Sequence, residues 1–147
     1  MPTGRDGNRR EPMRTVSVNL SNIAGTEAAL GWAGSHTIVA DRPTGAAGGR
    51  GLGFNGAELL ALALGGCFCN DLRYVAYELG ASIDRLQVKV TLELEGDPLV
   101  ATSARMDVIC ATRNKSDAAE VVRRAQSSCM VSQSLTRGVP VEIFGRA

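Results

Sequence analysis

The 147-residue, 15.4 kDa chain is long enough for one domain with its own hydrophobic core. Its 16 Lys and Arg nearly cancel its 15 Asp and Glu, and no basic run is interleaved with aromatics, so composition offers nothing to a nucleic-acid partner. The longest uncharged apolar run, Leu59 to Cys69, is about half of the roughly 20 residues that a bilayer span needs, so no membrane segment is expected.

The start, MPTGRDGNRREPMR, is polar and basic with no apolar h-region, which points to a cytoplasmic protein with residues 1–13 as a disordered tail and 14–147 as a single domain. In TVSVNLSNI, Val16, Val18 and Leu20 alternate with Ser17, Asn19 and Ser21, the period of a strand with one buried face. SHTIVAD (35–41) reads as a second or third strand. RPTGAAGGRGLGFNG then combines Pro43 with a run of glycines and reads as a loop.

Asn55 is a good N-cap, with Glu58 three residues on as its capping-box partner, and a helix is predicted over 56–79 with Gly80 as its stop. From Leu59 to Cys69 that helix is apolar on every side. So small a domain can scarcely cover such a helix alone, which predicts an obligate homodimer with the helix at its centre. LQVKVTLELEG places Leu86, Val88, Val90, Leu92 and Leu94 on one strand face, and TSARMDVICAT places Met106, Val108 and Cys110 in register, so the two form a hairpin across DPL. SDAAEVVRRAQSSCMVSQSL opens on Ser116 or Asp117 as cap and lines up Ala118, Val121, Val122, Ala125 and Cys129 on one helical face, broken near Ser127 and Ser128. GVPVEIFG reads as a closing edge strand. The order of elements gives an α+β fold with antiparallel sheet.

Four cysteines in a reducing compartment are packing groups or working thiols rather than a disulfide scaffold. Cys110 shares a strand face with Met106 and Val108 and reads as a small buried hydrophobe. Cys67 and Cys69 sit about 200° apart around a helix and so cannot both face one pocket. Gly65 and Gly66 precede Cys67, and two mid-helix glycines each cost roughly 1 kcal/mol relative to Ala. Either another helix crosses closely there or a substrate needs access to the sulfur. Cys67-x-Cys69 lacks zinc-knuckle spacing, and the sole histidine, His36, falls in a strand, so neither a metal site nor Cys-His chemistry is expected. GLGFNG (51–56) matches G-x-G-x-x-G but no βαβ unit surrounds it, so its glycines serve the loop and close packing rather than a dinucleotide.

Together, GFNGAELLALALGGCF and, further on, Cys129 in SSCMVSQSL resemble the osmotically inducible protein C and organic hydroperoxide resistance family, OsmC/Ohr, over roughly the C-terminal two thirds of the chain. The resemblance implies an intertwined homodimer with antiparallel sheets wrapped around long central helices. It implies thiol chemistry without a metal or organic cofactor: Cys67 attacks an organic hydroperoxide, expels an alcohol and becomes a sulfenic acid, and Cys129 resolves it as a disulfide. An external dithiol of lipoyl type then reduces the disulfide. Leu60, Leu64 and Phe68 would form an apolar wall suited to an alkyl hydroperoxide, and since such a wall disfavours charge, a cation is called for beside the sulfur.

The chain departs from the hydroperoxide resistance branch at that cation. The branch carries a glutamate in an N-P-E motif that positions a catalytic arginine; here Asn55-Gly56-Ala57 stands in its place. Glu58 is one residue later and, on a straight helix, about 180° from Cys67, which suits capping. No arginine falls between Arg14 and Arg42, so Arg42 is the substitute candidate, ahead of Arg50. This aligns the chain with the general OsmC-like branch and leaves a second class of function open: a non-catalytic dimer that binds a small apolar ligand or reports oxidation through its thiols.

Overall fold

The computed structural model describes residues 13–114 and 117–146, so the expected N-terminal tail, Met13 apart, and the alternative cap Ser116 lie outside the described residues. The chain forms two compact units, divided between Phe54 and Asn55.

The first unit is a three-stranded antiparallel meander of β1 (Asn19–Asn22), β2 (Ala29–Ala33) and β3 (His36–Ala40), in the order β1-β2-β3. Ala33 pairs with His36 across a two-residue turn, where Gly34 adopts φ 59°, as tight hairpins require. β1 is shorter than the alternation predicts, and Val16, Val18 and Leu20 are exposed rather than buried, because nothing within this unit packs over that face. β2 has too little alternation to be singled out in sequence. After β3 the glycine-rich loop folds back on the buried carboxylate of Asp41, which accepts hydrogen bonds from the N–H groups of Arg42 (2.8 Å), Leu52 (3.0 Å) and Arg50 (3.1 Å). Phe54 N–H reaches Val39 O at 2.9 Å, and a Cβ on Gly53 would lie 2.0 Å from that oxygen. Of the GLGFNG glycines, Gly53 therefore serves close backbone approach and Gly51 adopts a positive φ of 64°, whereas Gly56 faces open space.

The second unit carries α1 (Gly56–Glu78), β4 (Ile83–Glu95), β5 (Val100–Thr112), α2 (Ala118–Ser128) and α3 (Met130–Arg137). The capping box is complete: Asn55 Oδ1 accepts from Glu58 N–H at 2.9 Å, and Glu58 Oε1 accepts from Asn55 N–H at 3.1 Å. The hairpin pairs the two predicted apolar faces residue for residue, Leu86 with Cys110, Val88 with Val108 and Val90 with Met106. Against that face α1 lays Leu64, Phe68, Leu72, Val75 and Ala76, joined by Val121 and Ala125 of α2 and by Cys129. Asp117 occupies the α2 N-cap position without a capping side-chain bond. The predicted break falls at Cys129, whose extended backbone (φ −65°, ψ 107°) separates α2 from α3. Just before it, the Ser127 and Ser128 hydroxyls hydrogen-bond back to Arg124 O, the local competition that ends helices.

One expectation for the second unit fails within the single chain. GVPVEIFG forms no strand: it pairs with none of the described strands, Val139, Val141, Ile143 and Phe144 are exposed, and alternation alone does not make a strand. Helix α1 is covered on one face only, with Leu62 51% and Tyr77 89% exposed on the other. Among the described residues, α1 alone is long and apolar enough to reach across a bilayer, its most apolar window having a mean hydropathy of 1.3. Its inner face, however, is the core of this unit.

The two glycines before Cys67 divide between these faces. A Cβ on Gly65 would stand 2.9 Å from Val90 Cγ2, so the close crossing inferred from sequence is real but is made by strand β4 rather than by a helix. Gly66 faces open space. We expect Gly65→Ala to destabilise, the overpacking cost of about 1–3 kcal/mol exceeding the helix-propensity gain of about 1 kcal/mol. Gly66→Ala should stabilise by about 0.5–1 kcal/mol in denaturant titrations. A second chain pressed as closely on Gly66 as Val90 is on Gly65 would reverse that sign, so the variant reports directly on the bare face.

The Asp41 hub yields a pH prediction. Leu52 N–H above all, with those of Arg50 and Arg42, holds the Asp41 carboxyl below its ordinary 3.8 against the opposing effect of burial. A depressed carboxyl stabilises fully above its unfolded value and loses that contribution as pH falls through its lower folded value. Acid titration followed by circular dichroism should therefore show Asp41→Asn less stable than the parent at neutral pH, the difference narrowing below pH ~4.

Candidate active site

Cys67 lies in the middle of α1, half-buried, one turn after Leu64 and beside Phe68. Cys129 sits at the joint between α2 and α3 and is 0% exposed. The stripe Val121, Ala125, Cys129 faces α1, and it brings the Cys129 sulfur to Cys67. The two sulfurs and a carboxylate oxygen of Asp71 all lie within 4.8 Å of one another. Asp71 is four residues after Cys67 on the same helical face, and the Cys67 thiol donates to its Oδ2 at 3.6 Å.

The surroundings of Cys129 oppose its ionisation. Burial pushes the Cys129 thiol up from its ordinary 9.0 to about 11; a hydrogen bond from Ser132 N–H works in the other direction, while Cys67 and Asp71 add to the rise. Cys110 is a core group, as expected, and burial raises its thiol too, with the charge of Arg73 opposing. Cys69 is half-buried and takes no part in the cluster.

The other sequence candidates have different occupations. Glu58 is exposed and its carboxylate is engaged in the capping box, the task its helical angle suggested. Arg42 belongs to the first unit, where its guanidinium donates to Glu27 O at 2.7 Å and lies 3.5 Å from Asp41 Oδ1. His36 is exposed at the start of β3. Within the second unit, no Lys or Arg among the described residues forms an ion pair with Asp71. Asp71 is the residue that sequence reasoning missed. Its signal was the i, i+4 spacing from Cys67, which places any side chain pair on one face of a helix.

The second unit also holds a cavity of about 330 Å³, lined by Leu60 and Leu64 of α1, Leu92 and Met106 of the hairpin and Ser132 and Leu135 of α3; neither Cys67 nor Cys129 lines it. Leu60 and Leu64 line this cavity. Phe68 does not; it is packed in the core.

Residues 48–144 match the family described as OsmC-like protein, and the chain belongs to that family. Its fold is similar to that of an OsmC-like protein from Mycoplasma pneumoniae, at 16% identity and TM-score 0.69 over 84% of this chain and 88% of that one. It is also similar to the organic hydroperoxide resistance protein OhrB of Bacillus subtilis, at 25% identity and TM-score 0.55 over 85% and 92%. A third similar structure is a protein from Legionella pneumophila described as an organic hydroperoxide resistance protein OsmC, at 18% identity and TM-score 0.59 over 85% and 91%. No curated protein matches the chain.

The burial and ionisation of Cys129 predict an order of thiol reactivity. With Cys69 and Cys110 replaced by serine, iodoacetamide at pH 7–8 should modify Cys67 first and leave Cys129 unmodified in the folded protein. In Cys67→Ser, where two of the causes that raise the Cys129 thiol are removed, Cys129 should ionise at lower pH, yet still above its ordinary 9.0 because burial remains. Mass mapping against pH checks both statements.

Proposed function

We propose that this chain is a thiol-dependent peroxidase that reduces organic hydroperoxides to alcohols in cytoplasmic oxidative-stress defence, with residues 14–147 working as one OsmC-like domain in a homodimer. The observation that carries this reading is the meeting of the Cys67 and Cys129 sulfurs, from α1 and the α2–α3 joint, within 4.8 Å. The half-buried Cys67 sulfur attacks the distal peroxide oxygen; an S–O bond forms, the O–O bond breaks and the alkoxide leaves as alcohol on taking a proton. The Cys129 sulfur then attacks the sulfenic sulfur, and water leaves as the disulfide closes. An external dithiol of lipoyl type restores both thiols by exchange. The cavity walled by Leu60, Leu64, Leu92, Met106 and Leu135 suits the alkyl part of such a substrate. The names of the structural relatives from Bacillus subtilis and Legionella pneumophila agree with this substrate class. The bare face of α1 and the exposed apolar residues of 138–146 support a homodimer, since both are surfaces a second copy would cover.

A second reading, a thiol pair that is oxidised once and reports rather than turns over, is favoured by one observation. The guanidinium of Arg42, proposed to assist Cys67, is already engaged by Glu27 and Asp41, and the carboxylate of Glu58 by the cap.

Turnover separates the two. Supplied with excess dithiol, the enzyme should consume many equivalents of an organic hydroperoxide, and one equivalent added to reduced protein should give a Cys67–Cys129 disulfide by peptide mapping. Cys67→Ser should abolish consumption, and Cys129→Ser should leave Cys67 trapped as sulfenic acid. Oxidation that stops at one equivalent establishes the sensor, and survival of all four thiols removes both readings.

A further inference from the structure

We infer that Cys67, Asp71 and Cys129 form a binding site for one thiophilic divalent cation, with zinc(II) as the representative ion. Zn–S distances of about 2.3 Å and Zn–O of about 2.0 Å at tetrahedral angles place ligand atoms about 3.5–3.8 Å apart. The Cys67 sulfur and Asp71 Oδ2 are 3.6 Å apart, and no pair in the set exceeds 4.8 Å, so closure onto a cation needs only side-chain adjustment. The backbone already holds the set: Cys67 and Asp71 are one helical turn apart on α1, and Cys129 is fixed by its place in the core. Two thiolates and a carboxylate are the donors zinc prefers, and three protein ligands leave the fourth position for water.

The charges point the same way. Ionised together, the three groups would place three negative charges within 4.8 Å, and no Lys or Arg in the described part of this unit pairs with Asp71. A dication offsets that repulsion where it arises. The sequence hides the site because its ligands are split between an i, i+4 pair and a residue distant in the chain.

Resting on the proposed disulfide chemistry, occupancy and oxidation are mutually exclusive. Binding displaces two thiol protons into solvent. Two bound thiolates, one hydroperoxide and two protons yield the disulfide, one alcohol, one water and the released cation. Bound metal thereby competes with oxidation, and each oxidation releases the cation.

The test is zinc(II) titration of the reduced full chain against a chromogenic chelator, repeated with cobalt(II) for its thiolate-to-metal charge-transfer absorption. One equivalent per chain is expected. Affinity should fall by more than about 100-fold in Cys67→Ser and Cys129→Ser and at least about tenfold in Asp71→Asn, while Cys69→Ser leaves it unchanged. Cys129 is a core residue, so Cys67→Ser and Asp71→Asn, at half-buried positions, carry the result if Cys129→Ser fails to fold. Failure to bind an equivalent, or binding that survives Cys67→Ser, overturns the site. Disulfide formation without zinc binding removes this inference alone. Zinc binding by a chain whose metal-free thiols ignore peroxide keeps the site and removes the peroxidase.

Discussion

The contact on which the second unit depends is that of Leu64, Phe68 and Leu72 with the β4–β5 hairpin on one side and Val121, Ala125 and Cys129 on the other. Phe68, Leu72, Val121 and Cys129 are the largest side chains fully removed from solvent, and each large apolar group contributes about 1.5–3 kcal/mol by burial. Those same residues place the chemistry. Cys67 neighbours Phe68 on α1, and Cys129 continues the Val121, Ala125 stripe, so packing the core is also what brings the sulfurs together. Gly65 belongs to this contact as well, because only a residue without a Cβ lets β4 come as close to α1 as Val90 does.

What was legible in the sequence was whatever one segment decides for itself. The capping box at Asn55 and Glu58, the period-two hairpin and the α2 stripe depend on neighbours a few residues away, and each stands where periodicity and capping chemistry place it. The segments that misled were those whose pattern promises a partner. Val16, Val18 and Leu20 alternate, as do Val139, Val141 and Ile143, but a strand needs a neighbour to supply its hydrogen bonds and a surface to bury its face, and alternation specifies neither.

The site was legible in part for the same reason. Cys67 and Cys129 stood out as thiols set among small residues and by their family resemblance. Asp71 looked like the point where the apolar helix turns polar, and its role is visible only once α2 delivers a third donor to the same face. The mid-helix glycines posed a question with two answers, and the structure uses one glycine for packing and leaves the other open. Glu58 illustrates the opposite case: its helical angle separated it from Cys67, and its carboxylate is accordingly found on the cap.

The asymmetry between the two thiols gives the proposed chemistry an order. Cys129 has no exposed surface and a thiol raised to about 11, so it is poorly placed to meet a solvent-borne peroxide first. Burial is the main cause of that rise, but the Cys67 thiol and its charge contribute to it. Conversion of Cys67 to a sulfenic acid replaces that thiol with a neutral electrophile. The step that creates the target for Cys129 therefore also relieves part of what keeps Cys129 protonated, so on this reading the resolving thiol is held back until there is something for it to resolve.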